Sequence, residues 1–121
     1  MSYNINHTDE FDYVKVVLSG KWPEDAEEMH KSILDTCKNH SIPKLLIEVK
    51  ELEDNPTPLQ DIETVKLMQK LGYERVHKIA VLDKIENKNA NDVFEGFAHN
   101  TKLKIRFFYN EAHALNFLSI K

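Results

Sequence analysis

The sequence predicts a single α/β domain over residues 1 to 121, built on a mixed, mainly parallel sheet of five strands with about four helices in the order ββαβαβαβα. Three observations carry this. Short β-branched or apolar runs alternate along the chain with longer stretches whose apolar residues follow helical spacing. Gly20, Pro23, Pro43, Pro58 and Gly72 fall at the junctions between them. A chain of 121 residues buries one core but not two, and no repeat, low-complexity tract or interdomain linker divides it.

Tyr13-Val14-Lys15-Val16-Val17-Leu18, closed by Gly20, reads as a buried strand, with Tyr3 to His7 as an antiparallel partner across the polar loop Thr8 to Asp12. Pro23, followed by two acids, suits the first turn of a helix. Trp22, Ala26, Met29, Ile33, Leu34 and Cys37 then form its apolar stripe and leave Glu24, Glu27, Glu28, Lys31 and Lys38 to water. Residues 44 to 49 make a second strand, followed by a polar loop from Lys50 to Asn55. Thr57-Pro58-Leu59-Gln60 combines a capping box with proline at the first helical position, and Gly72 ends the helix that begins there. Lys78 to Leu82 gives a third core strand. Ala90, Val93, Phe94, Phe97 and Ala98 share a narrow helical face. Lys104 to Tyr109 is the last strand, and Asn110 caps a closing helix through Leu118 with Ala114, Leu115, Phe117 and Leu118 on its apolar arc. Helices between strands imply right-handed crossovers and a parallel sheet, which the first hairpin makes mixed.

Composition excludes several chemistries. Cys37 is the only cysteine, so no internal disulfide or cysteine-based zinc cage forms, and a reducing compartment follows; cytoplasm is the expected location. The N-terminal residues lack the basic and apolar regions of a signal peptide, and no stretch approaches the roughly 20 apolar residues of a membrane span. Residues 1 to 63 carry a net −8 and residues 64 to 121 a net +4, but no Lys/Arg cluster grips phosphates, so nucleic acid is not an expected partner. The six histidines (His7, His30, His40, His77, His99 and His113) show no zinc-binding spacing and read as surface or capping residues. Ser19-Gly20 lacks a nucleophile elbow, and Cys37 lies on an apolar stripe. Three glycines are too few for a phosphate-cradling loop, and Glu51, Glu53 and Asp54 lack the spacing of a calcium loop. No catalytic residue, cofactor or metal site is therefore expected.

The strand His77-Lys78-Ile79-Ala80-Val81-Leu82-Asp83 and the ending Arg106-Phe107-Phe108-Tyr109-Asn110-Glu111-Ala112-His113-Ala114-Leu115-Asn116-Phe117-Leu118 resemble the SpoIIAA-like family. That family is related in fold to the STAS domains of sulfate transporters and anti-sigma-factor antagonists and to the SEC14 lipid-transfer fold. The resemblance spans nearly the whole chain and implies a SpoIIAA/STAS-like sheet. In STAS anti-anti-sigma factors a phosphorylatable serine follows an aspartate after the second core strand. Here Glu53-Asp54-Asn55-Pro56-Thr57-Pro58 has no such pair, and Thr57 reads as an N-cap worth roughly 1 kcal/mol.

In the helix from Pro58 to Leu71, Leu59, Ile62, Val65 and Met68 recur every three residues while Leu67 lies elsewhere, so the apolar surface drifts around the helix. Those residues, with Thr57 and Trp22, form the candidate interaction or ligand face. The leading expectation is a non-enzymatic protein-interaction or regulatory module whose partner is a regulatory protein or, through a self-complementary patch, a second copy of the chain. The alternative is a carrier or sensor of a small apolar or lipid-like ligand lodged between this helix and the one beginning near Trp22. A hydrolase ranks last, and no stable membrane insertion is expected.

Overall fold

Alternation of apolar and polar residues sets the strands. In a computed structural model, which describes residues 2–6, 13–20, 26–39, 44–52, 58–73, 76 and 78–119, strand β2 (Val14–Gly20) buries Val14, Val16 and Leu18 and leaves Lys15, Val17 and Ser19 half-buried. Strand β1 (Ser2–Asn6) pairs with it antiparallel, with Ile5 opposite Val16 and Tyr3 opposite Leu18. Strands β3 (Lys44–Leu52), β4 (Lys78–Leu82) and β5 (Ile105–Phe108) follow in sequence order across the sheet, each parallel to the one before. The parallel body thus comprises four strands, and β1 adds the antiparallel edge.

Helices α1 (Ala26–Asn39), α2 (Pro58–Leu71) and α3 (Lys88–His99) connect the parallel strands, and α4 (Glu111–Ser119) closes the described chain. Right-handed crossovers that always step one strand onwards put their helices on the same face of the sheet. The larger core agrees: Met29, Ile33 and Cys37 of α1, Val65 and Met68 of α2, and Phe94 and Ala98 of α3 pack on Val14, Val16, Leu45, Ile47, Ile79, Val81 and Ile105. The intervening strand residues Leu46, Ala80 and Leu82 face the other way and meet Ala114 and Leu118 of α4. Asn110 caps α4 as expected, with the His113 N–H donating to its Oδ1 at 3.3 Å. At the far end, Lys78 Nζ donates to the Phe117 carbonyl at 2.8 Å and lies 5.1 Å from that ring's centroid. Gly72 ends α2 with φ +96°, a conformation that disfavours any side chain.

Three expectations need correction. Residues 50 to 52 belong to β3 rather than to a loop, because Glu51 and Leu52 stay paired with Ser19 and Gly20 after a register shift in β2. The buried face of α3 is Asn91, Phe94 and Ala98; Ala90 is exposed and Val93 is 43% exposed. Asn91 takes the inward position because a buried carboxylate accepts a hydrogen bond from its amide there. The surplus apolar arc of α2 is also largely covered: Val65 and Met68 are 4% and 2% exposed within a single chain. The helix lies between α1 and α3, so its flanks meet protein as well as its sheet-facing side. The proposed start of α1 at Pro23 lies outside the described residues.

Candidate ligand-binding site

The apolar pocket sits where the parallel strands end. Glu48 of β3 pairs with Leu82 at the end of β4, but β3 runs on to Leu52 beside β2 alone. Val49 and Leu52 therefore extend past β4, and α1, α2 and α3 bridge over that end of the sheet. A cavity of about 90 Å³ remains between them. Leu18, Ile47, Val49 and Leu52 form its sheet side, with Met29 and Ile33 from α1, Thr64 and Met68 from α2 and Phe94 from α3 closing it. Crevices at the carboxyl ends of parallel strands are where open α/β sheets bind ligands.

Five polar residues interrupt this lining: His30, Thr64, Asp83, Asn87 and Asn91. Asp83 continues the inward alternation of Ile79 and Val81 one step beyond β4, which places a carboxylate on the helix-covered face at 4% exposure. Its oxygens accept hydrogen bonds from the Lys84 N–H at 2.7 Å, Asn87 Nδ2 at 3.0 Å and Asn91 Nδ2 at 2.9 Å. Its own N–H donates to the Phe108 carbonyl at 2.9 Å. Asp83 thereby ties the end of β4 to the 3-10 turn Ile85–Asn87, to α3 and to β5.

His30 is buried on α1. Its Nδ1 lies 2.6 Å from the hydroxyl of the fully buried Tyr73, and the two rings meet edge to face at 5.2 Å. Nε2 is buried with no hydrogen-bond partner among the described residues. Burial lowers the imidazole pKa from 6.5 to about 4, raises that of the Tyr73 phenol, and pushes the Cys37 thiol up to about 11. All three side chains are therefore neutral at pH 7, and Cys37 is held as a protonated thiol in the core rather than as a nucleophile.

Of the residues expected to form a contact face, Met68 lines the pocket. Val65 lies in the core beside it, and Ile62 and Leu67 are half-buried. Leu59 falls within α2 with its side chain outside the description, and Trp22 and Thr57 lie outside the described residues. The histidines need one correction. His99 and His113 are exposed, but His30 is interior. It lies three residues before Ile33 and seven before Cys37, on the very stripe that marks the buried face of α1. That spacing was the available signal for it; the pairing with Tyr73, 43 residues away, had none.

No family model matches the sequence, and comparison with curated proteins gives no match. Solved structures do match. An uncharacterised protein of the DUF3478 family with a SpoIIAA-like fold, from Shewanella loihica PV-4, superposes with a TM-score of 0.65 at 20% identity, over 97% of this chain and 92% of that one. The chain has the SpoIIAA-like fold. An anti-sigma factor antagonist from Mycobacterium paratuberculosis shares it, with a TM-score of 0.65 at 14% identity, over 98% of this chain and 94% of that one. The SpoIIAA-like resemblance read from the strand ending at Asp83 and from the closing helix therefore holds at the level of fold. Among the described residues no helix of this SpoIIAA-like fold is long and apolar enough to cross a membrane.

Proposed function

We propose that this chain is a non-enzymatic binding module, a sensor or carrier of a small apolar ligand held between α1, α2, α3 and the sheet. The observation that supports this reading most is the apolar cavity of about 90 Å³ at the carboxyl end of the parallel strands. Its lining joins Met68 of α2 to Met29 and Ile33 of α1, the two helices between which a ligand was expected from sequence. The reading assigns the chain no reaction, and a cytoplasmic location accords with its single, buried, free cysteine. Native mass spectrometry of the purified chain, with solvent extraction of the same sample, tests it. A retained small molecule is expected, and ¹³C-methyl signals of Met29 and Met68 should move when that extract is returned to ligand-free protein. Signals that stay fixed would remove the pocket as its site.

A second reading, a regulatory module that binds a protein or a second copy of itself, is favoured by the fold shared with an anti-sigma factor antagonist. Its surface is the outer arc of α2, where Ile62 and Leu67 remain half-buried. Val65 and Met68 belong to the core, so Leu67→Asp is the appropriate variant. On this reading light scattering detects a dimer, or a pull-down a partner, that Leu67→Asp abolishes. Only monomer at every concentration would reject self-association.

A further inference from the structure

His30 gives the pocket a direction. The Tyr73 hydroxyl is fully buried, and His30 Nδ1 lies 2.6 Å away. Both groups are neutral at pH 7, so two hydrogens are shared among the phenol oxygen and the two ring nitrogens. Were Nδ1 the protonated nitrogen, it would donate to the phenol oxygen, and both the phenol hydrogen and the bare Nε2 would lack partners. With the phenol donating to Nδ1, only one group is left over, an Nε2–H. The second arrangement is the better satisfied, since it leaves one buried polar group unanswered instead of two. Nε2 is therefore a hydrogen-bond donor without an acceptor among the described residues. The pocket is lined by His30 but not by Tyr73, and the unpartnered Nε2 is itself covered, so a ligand reaches it only if the lining yields.

The remaining lining narrows what could supply the acceptor. No Lys or Arg is among the described lining residues, while Asp83 contributes a carboxylate. An anionic ligand would meet that charge with no cation to offset it, at a site where burial is costly for ions. The volume of about 90 Å³ is smaller than the roughly 150 Å³ engineered cavity that takes benzene, so a single ring enters only as the lining yields and a long acyl chain does not fit. Met29 and Met68, the pocket's two unbranched thioether side chains, can shift to admit a ligand to the covered Nε2.

We propose that the pocket takes a neutral, mainly apolar molecule of about one ring, bound through a single acceptor oxygen to His30 Nε2–H. This rests on the pocket being a ligand site. Three probes of similar size separate the two claims: acetophenone, its carbon isostere α-methylstyrene, and benzoate. They are titrated into the full chain with ¹³C-methyl methionine and ¹⁵N-histidine labels. Acetophenone and α-methylstyrene should both move the Met29 and Met68 methyl signals, and acetophenone alone should move the His30 Nε2 resonance. In His30→Asn, which keeps an acceptor for the Tyr73 hydroxyl but has no atom at Nε2, the affinity ratio of ketone to hydrocarbon should fall about five-fold. His30→Gln, which returns an N–H near Nε2, should restore part of it. An unchanged ratio and a silent Nε2 resonance with both probes bound would overturn the hydrogen-bond assignment and leave the pocket standing. Benzoate binding as tightly as acetophenone would overturn the neutral class. No methyl response to any probe would overturn the pocket and this inference together. Should His30→Asn fail to fold, the Nε2 resonance of the unaltered chain decides alone.

Discussion

Acidification should destabilise this protein through His30, and His30→Asn should remove that sensitivity. Burial lowers the folded-state pKa of the ring from 6.5 to about 4, so the unfolded chain holds the proton more tightly than the folded one. The stabilisation is therefore fully present above pH 6.5 and is lost as pH falls towards 4. Fully expressed, the difference amounts to roughly 3 kcal/mol, of which about 2 kcal/mol appears between pH 7.5 and pH 5. For a single domain whose stability is about 5–15 kcal/mol that is a large fraction. Urea unfolding followed by circular dichroism at the two pH values measures it for both proteins. Every other titrating group is common to the two chains and cancels in the comparison. The wild type is expected to lose about 2 kcal/mol more than His30→Asn on going to pH 5. Equal losses to within about 0.5 kcal/mol would refute a buried neutral imidazole at this position.

Two further substitutions test the elements that frame the pocket. Asp83→Ala removes the acceptor of three hydrogen bonds and leaves the buried Asn91 amide without its carboxylate, so stability measured by urea unfolding should fall by about 2–4 kcal/mol. Gly72→Ala meets no atom within 4 Å and should fail only through its φ of +96°, lowering stability by about 1–2 kcal/mol in the same assay.

The order and type of the elements were legible because they rest on local chemistry: alternation in Val14 to Leu18, the proline at Pro58, the glycine at Gly72 and the cap at Asn110. The pocket was not, because it arises from a register. Only the pairing of Glu48 with Leu82, and of Leu52 with Gly20, makes β3 outrun β4, and no composition or periodicity in either strand encodes that offset. The polar interior was hidden for a related reason. His30, Asp83 and Asn91 occupy apolar positions of their elements, where a sequence reader expects Leu or Val, and each is tolerated through a partner elsewhere in the chain. The apolar arc on α2 is wider than one sheet contact requires. Its explanation lies in the sequential strand order, which makes α2 the middle one of three neighbouring helices and gives it protein on both flanks.

That same strand order divides the molecule unevenly. Three helices share one side of the sheet, while α4, joined by Tyr13 and Phe108, covers Leu46, Ala80 and Leu82 on the reverse. Detachment of α4 would uncover the minor cluster and leave the walls of the cavity standing, since none of its residues lines that space. The cavity lies on one side of the sheet and the docking of the closing helix on the other, so Leu118→Ala should lower the stability of the whole molecule without reshaping the cavity.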